Sequence, residues 1–346
     1  MSTRPSFQLG PIRVPPGSQR TVELPVSVLS DHTPVTMSVH VVHGRTPGPT
    51  LFVSAAIHGD EVIGVEIARR LLRSPQLDRI CGTLLVVPIV NTFGFLNHSR
   101  YLPDRRDLNR SFPGSEKGSL AGRLAYLFMT EVVDRSDLGI DLHSAAIHRE
   151  NMPQIRVSPG KPETMEYADA FGAPVVIRSK LRDGSLRKEA QRRGVDILLY
   201  EAGEGLRFDE MSARVGVAGI LRVMHVLGMI PEDGVPLAEA VPVKTTETHW
   251  ERAPAGGLLR NFKGIGEIVE AGELLGVISD PFGEIEEEIR AGDPGLIIGR
   301  ANLPIVNEGD ALFHLARVTA AGAESRIESL STQLDGAAMF DEDEII

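Results

Sequence analysis

A single cysteine, Cys81, among 346 residues excludes an intramolecular disulfide. It lies at the edge of the apolar run from Thr83 to Val90 and reads as a small hydrophobe rather than a nucleophile. This scarcity fits a reducing compartment. No stretch approaches the ~20 apolar residues of a membrane-spanning helix. The opening Met1-Ser-Thr-Arg-Pro-Ser lacks the apolar core of a signal peptide. A cytoplasmic protein with no membrane partner is therefore expected. Basic residues are in deficit, with 36 Lys and Arg against 47 Asp and Glu and a formal net charge of −11. That balance argues against nucleic acid and anionic membrane surfaces, both of which select basic faces. It leaves room for small anionic substrates, which need only a local cationic pocket.

What is present supports a sizeable core. Hydrophobic residues make up 42% of the chain, as in ordinary soluble domains, and the length suggests about two domains. Residues 1–20, rich in Pro, Gly and Arg, read as an N-terminal arm or irregular lead-in. From 21 to 235, strand and helix patterns alternate. Thr21–Leu29 and Thr36–His43 alternate apolar and polar residues, as half-exposed strands do. Leu51–Ile57, Leu84–Val90, Leu138–Leu142 and Asp196–Tyr200 read as buried strands. Helices are expected over Val62–Leu72, Leu120–Val133, Lys161–Phe171, Ser185–Arg193 and Asp209–Leu227. This order indicates an α/β layered domain with a mostly parallel or mixed sheet. Over 236–320 the pattern changes to short apolar pieces punctuated by glycine, which fits a small all-β domain. Residues 321–346 are polar and end acidic, as a solvated tail does.

Four polar clusters fall at the ends of predicted strands. His58-Gly-Asp-Glu61 follows the first buried run, and a helix entry there would turn His58 and Glu61 toward one point. Arg100 and Asp107-Leu-Asn109-Arg110 follow the second. His143 closes Asp141-Leu-His143, and Glu201 opens Glu201-Ala-Gly203-Glu204. Each alone has an ordinary reading as a turn, a cap or a core histidine. Together they lie where open α/β sheets place ligands, and two imidazoles with carboxylates are the components of a hydrolytic zinc site.

The series His58-Gly-Asp-Glu61, Asn91-Thr-Phe-Gly-Phe95, Asp107-Leu-Asn-Arg-Ser-Phe-Pro-Gly114, Asp141-Leu-His143 and Glu201-Ala-Gly203 resembles the succinylglutamate desuccinylase/aspartoacylase family, a branch of the zinc carboxypeptidase-like hydrolases. The resemblance covers roughly residues 45 to 230. It implies a layered α/β/α domain with a mixed, mostly parallel sheet, followed by a small C-terminal all-β domain of biotinyl- or lipoyl-like or barrel-like form. That second domain has no Met-Lys-Met carrier motif, so attachment of biotin or lipoate is not expected. It is expected to shape the pocket entrance or an oligomer interface, which leaves a homo-oligomer open.

The resemblance also implies roles. His58, Glu61 and His143 match ligands of one zinc ion per chain, and Asp107 matches the carboxylate behind the first histidine. Glu201 matches the general base and later acid. Asn109 and Arg110 match a grip on the substrate carboxylate. Arg100 matches the arginine facing the scissile carbonyl, with Arg105 and then Arg106 as alternatives. His148 and Arg149 read as surface-loop residues. The activity implied is metal-assisted hydrolysis of the amide of an N-acyl amino acid or related N-acyl amine. A zinc carboxypeptidase acting on short peptides and a non-catalytic metal-bound binding module are the alternatives.

Overall fold

A computed structural model describes residues 4–238 and 241–318. The expected tail at 321–346 lies outside the described residues. The chain divides into two units, residues 1–237 and 238–346.

In the first unit the lead-in is not wholly irregular. It carries a hairpin of β1 (Phe7–Leu9) and β2 (Ile12–Val14) that buries Leu9 and Val14. The main sheet is formed by β3 (Ser18–Val28), β4 (Pro34–His43), β5 (Thr46–Ala55), β6 (Cys81–Val87), β7 (Leu138–His143), β8 (Arg149–Val157), β9 (Val175–Arg178) and β10 (Asp196–Gly203). Their spatial order is β9-β8-β10-β7-β5-β6-β4-β3. The inner pairs β10/β7, β7/β5 and β5/β6 are parallel, whereas β10/β8, β6/β4 and β4/β3 are antiparallel. The sheet is thus mixed around a parallel centre. Strands β6 and β7 are buried almost throughout, which explains their unbroken apolar character.

Helices cover both faces. On one face lie α1 (Ile63–Leu71), α4 (Pro162–Phe171) and α6 (Glu210–Val226), which bury Ile63, Ile67, Phe171, Ile220 and Met224. The short α2 (Thr92–Leu96) follows β6. On the opposite face lie α3 (Leu120–Glu131) and α5 (Leu186–Arg192), with Phe128, Leu124, Leu186 and Ala190 in the core. Phe128 meets Phe52 of β5 edge to face at 5.7 Å, a favoured aromatic geometry. Among the described residues, no helix is long and apolar enough to cross a membrane.

The exposed side of α1 is tied to α6 by charge. Glu66 accepts hydrogen bonds from Arg69 and Arg70, and Arg70 also reaches Glu210 at 2.7 Å. The hydrogen bonding from Arg69, against opposing burial and aided by Arg70, holds the Glu66 carboxyl down to about 2. A depressed folded-state pKa stabilises above the unfolded value and loses that contribution as pH falls toward the folded one. Glu66→Gln is therefore expected to lower the thermal midpoint by about 2 °C near neutrality. The gap should close as pH is lowered toward about 2. Paired melts across that range check it, and a gap independent of pH would contradict it.

The second unit contains β11 (Val243–Thr245), β12 (Thr248–Arg252), β13 (Gly257–Asn261), β14 (Ile268–Val269), β15 (Leu274–Ser279), β16 (Glu286–Arg290), β17 (Gly295–Ala301), β18 (Ile305–Val306) and β19 (Ala311–Arg317). Two antiparallel groups, β12-β19-β17-β14 and β16-β15-β13-β18, enclose a core of Leu259, Val269, Leu275, Ile278, Ile297, Phe313 and Leu315. Trp250 stacks on His314 with ring centroids 4.6 Å apart.

Candidate metal centre and adjoining pocket

The polar clusters meet at the carboxyl ends of the parallel strands. His58 and Glu61 lie between β5 and α1, at the expected handover from strand to helix. They lie in a turn closed by the Glu61 N–H to the His58 carbonyl, and α1 begins only at Ile63. The turn is held by its surroundings. Ala56, with φ of 52°, kinks the chain out of β5; a non-glycine residue there is strained and needs support. Asn91 supplies part of that support, because its N–H donates to the Ala56 carbonyl and its Oδ1 caps α2. Gly59 lies against α2, where a Cβ would sit 1.9 Å from the Gly94 carbonyl carbon. The sequence His-Gly-Asp-Glu thus needs its glycine for close approach.

His58, Glu61 and His143 are 4%, 2% and 3% exposed. Each offers one ligand atom, and these atoms lie within 4.8 Å of one another. Nδ1 of His58 is 2.7 Å from Glu61 Oε1, and Nδ1 of His143 is 2.6 Å from Oε2. The opposite ring nitrogens are both held by carboxylates. His58 Nε2 meets Asp107 Oδ1 at 3.2 Å, and His143 Nε2 meets Asp141 Oδ2 at 2.8 Å. Asp141 in turn accepts from Ser54 Oγ at 2.8 Å. Carboxylates at the outer nitrogens leave both Nδ1 lone pairs free to converge, the arrangement of metal-ligating histidines.

Electrostatics supports a cation. Burial opposes charge on both imidazoles, yet Glu61 with Asp107 raises His58, and Asp141 with Glu61 raises His143 well above the ordinary range. Burial likewise works against ionised Glu61 and Asp107, but the imidazoles overcome it, and Arg100 adds to the effect on Asp107, so both carboxyls fall far below normal. Glu61 and Asp107 both face the Arg100 guanidinium, while Asp141 is held by His143 and Ser54. Neutral imidazoles, the form that ligates a metal, would leave this carboxylate-rich cluster short of positive charge, which a divalent cation would supply. Asp60 adds less, since burial and Glu61 push its carboxyl up.

Arg100 reaches this cluster, with Nη1 3.3 Å from Glu61 Oε1 and its other nitrogens on Asp107. Arg105 and Arg106 are exposed, and Arg106 pairs with Asp104. Asn109 spends its side-chain oxygen on the Leu186 N–H at the start of α5, and Arg110 is exposed and folds onto the Asn109 carbonyl. Gly184, with φ of +72°, lets the approach to α5 pass against Arg110, where a Cβ would lie 2.5 Å from its carbonyl oxygen. His148 is exposed on the loop after His143, and Arg149 is exposed at the start of β8.

Strand register lays out the rest. Glu201 of β10 pairs with His143 of β7 on one side and Gln154 of β8 on the other. One row back, Ser54, Asp141, Leu199 and Arg156 follow one another across β5, β7, β10 and β8. In-register neighbours share a face and stand ~5 Å apart. Glu201 therefore lies next to His143, and Arg156 lies one strand beyond. Asn151 Nδ2 donates to Glu201 Oε2 at 3.0 Å, and Arg156 Nη1 is 3.7 Å from Oε1. Arg187 of α5 projects to the same place, within electrostatic reach of Arg156, Glu201 and Asp141.

The structure adds four residues that the sequence did not single out for a role: Asp141, Asn151, Arg156 and Arg187. Asp141 was legible in principle, since two residues apart on a strand is one face. The others depend on β8, absent from the sequence expectation, and on which side of α5 meets the sheet.

The family model of the succinylglutamate desuccinylase/aspartoacylase catalytic domain matches residues 47–227. N-alpha-acetyl-L-2,4-diaminobutyric acid deacetylase from Halomonas elongata is 26% identical over 309 residues, covering 86% of this chain and 90% of the relative. A succinylglutamate desuccinylase/aspartoacylase from Rhodobacter sphaeroides superposes with a TM-score of 0.77 at 25% identity, over 87% of this chain and 96% of that one. The ectoine utilization protein EutE (DoeB) from Ruegeria pomeroyi, in a product-bound structure, shares the fold with a TM-score of 0.78 at 24% identity, over 91% and 98%. With a catalytic-domain match over residues 47–227, which include His58, Glu61, His143 and Glu201, this chain belongs to the succinylglutamate desuccinylase/aspartoacylase family.

Proposed function

We propose that this protein is a zinc-dependent deacylase that hydrolyses the amide of an N-acyl amino acid. One observation carries the reading: a buried His58–Glu61–His143 cluster whose ligand atoms lie within 4.8 Å of one another, and a carboxylate, Glu201, on the next strand in register with His143. Two imidazoles and a carboxylate are a hydrolytic zinc donor set. Zinc held there supplies an acidified water and Lewis-acid polarisation of a carbonyl.

The protein's own groups complete the chemistry. Glu201 takes one proton from the attacking water and returns it to the leaving nitrogen as the C–N bond breaks. The net change is one water consumed, with hydroxyl added to the acyl carbon and hydrogen to the amine. Arg100, held by Asp107 beside the cluster, places its guanidinium where negative charge develops on the carbonyl oxygen. A fixed donor of this kind needs little reorganisation as the charge forms.

The test is zinc analysis of the purified protein coupled to a panel of N-acetyl and N-succinyl amino acids, diamino acids included, set against dipeptides. The name of the Halomonas relative supports including the N-acetylated diamino acid. Stoichiometric zinc with turnover on N-acyl amino acids is expected. Turnover confined to dipeptides would make the protein a carboxypeptidase. Full zinc with no turnover on either panel would favour a binding module.

A further inference from the structure

A cavity of about 370 Å³ lies at the opposite end of the main sheet from the metal cluster. It opens where β4 ends and β5 and β6 begin, beside the short helical turn Pro75–Arg79. Strand β5 runs from this end toward the metal-binding turn. Its 10 residues, at ~3.3 Å each, set the two sites ~30 Å apart. The volume is that of a small-molecule pocket. Val42, Leu77 and Ile80 form an apolar floor, each 6% exposed at the edge of the core that α1 covers.

One wall is the turn between β4 and β5, and it is braced from several sides. The Gly44 N–H donates to the Gly82 carbonyl at 2.9 Å. A Cβ at Gly44 would lie 2.0 Å from the Ile80 carbonyl oxygen, so the turn packs directly on backbone. Arg4 reaches in from the lead-in and its Nη1 donates to the carbonyls of Gly44 and Gly82 at 2.7 Å each. Both ring nitrogens of His43 are engaged alongside, on the Thr83 hydroxyl and the Pro5 carbonyl. The braced turn displays the side chain of Arg45. Gly17, with φ of +73°, leaves room for it, since a Cβ there would lie 2.7 Å from three Arg45 atoms. Arg45 is exposed, and among the described residues its side chain has no hydrogen bond or ion pair. The carboxylate of Asp78, on the helical turn, is likewise without a partner among the described residues. Arg79, the remaining charged residue of the lining, is neutralised by Asp233 at 2.9 Å. The cavity thus presents one guanidinium and one carboxylate that do not pair with each other, over an apolar floor.

We propose that this cavity binds a free α-amino acid with an apolar side chain, its carboxylate on Arg45 and its ammonium on Asp78. A zwitterion matches both unpaired charges at once. A simple anion would meet Asp78 as a like charge, and a simple cation would meet Arg45. The planar guanidinium fork suits a two-oxygen carboxylate. An aliphatic side chain laid on Val42, Leu77 and Ile80 removes apolar surface from water on both partners. The cavity stands apart from the metal cluster, so the proposal does not depend on the hydrolase reading.

Calorimetric titration with L-leucine tests this, set against 4-methylpentanoate, which lacks the ammonium, and L-leucinamide, which lacks the carboxylate. The parent protein is expected to bind L-leucine ~10-fold more tightly than either analogue, in keeping with hydrogen bonds to charged groups. Arg45→Ala should remove the advantage over L-leucinamide, and Asp78→Asn the advantage over 4-methylpentanoate. Each variant leaves the other charge in place, so the two contacts are read separately. Both side chains are exposed, and both variants should melt with the parent. No binding of L-leucine by the parent, or binding that discriminates against neither analogue, would overturn the proposal. So would an L-leucine affinity unchanged in both variants, which would place the amino acid in the catalytic pocket instead.

Discussion

Glu201→Gln is expected to lower kcat by about 10³-fold, within the range that general acid–base groups supply, while zinc content and fold stay at parent levels. Gln keeps the volume of the side chain and an oxygen for the Asn151 amide, which donates to Glu201 at 3.0 Å. What it loses is a site for the proton. No other carboxylate can easily take over. Glu61 is committed to the two imidazoles, Asp107 to His58 and Arg100, and Asp141 to His143 and Ser54. Since the substrate is bound by other groups, KM should change little, so kcat and kcat/KM should fall together. Single-turnover and steady-state kinetics on the best panel substrate, with metal analysis on the same samples, check this. Parent-like turnover by the zinc-loaded variant would remove Glu201 from the role of base. Loss of zinc along with activity would instead show that the residue supports the cluster.

The site was unevenly legible in the sequence, for physical reasons. His58, Glu61, His143 and Glu201 each follow an apolar run closely, so reading buried strands located their strand ends, whereas Asp107, far beyond Val90, was legible only through its motif. The handover from β5 to α1 was legible because the apolar period of α1 extends back to Val62, but the turn that holds His58 and Glu61 together was not. Strand β8 was missed for a different reason. Met152-Pro153-Gln154 places a proline and a buried amide inside it, and proline ordinarily argues against an interior strand. Arg149 and Glu150 at its start also read as loop. With β8 unseen, Asn151, Gln154 and Arg156 had no assigned neighbours, although register makes them the flank of Glu201. The span of α5 was close to expectation, but a helix pattern does not say which turn faces a pocket. Arg187 therefore looked like one more surface arginine among Arg182, Arg192 and Arg193.

These missed residues change how charge is understood in the pocket. The recognised motifs alone make an acidic, cation-seeking cluster. Adding Arg156 and Arg187 sets two guanidiniums near Glu201, on its side away from His58, Glu61 and His143.

The metal end admits the second large prediction. His143→Ala is expected to weaken zinc binding by about 10²-fold. Structural sites of four ligands bind with about 10–16 kcal/mol, on the order of 3 kcal/mol for each ligand if shared evenly. Asp141→Asn should weaken it by ~10-fold although Asp141 is not itself a ligand. The reason is the tautomer. Asp141 accepts the Nε2 proton of His143 at 2.8 Å, which leaves the Nδ1 lone pair pointing at Glu61 and the cluster. An Asn at that position can present its amide N–H to Nε2 and move the ring proton to Nδ1, where it would block coordination. Ser54, which donates to the other Asp141 oxygen, is positioned to donate to the Asn oxygen and hold the amide in that wrong orientation. Competition titration against a chelator ranks parent, Asp141→Asn and His143→Ala, and thermal midpoints with and without zinc follow the same order through linkage. Full zinc occupancy in His143→Ala would strike His143 from the ligand set. A zinc affinity in Asp141→Asn equal to that of the parent would show that the ring is oriented by packing and not by the Asp141 carboxylate.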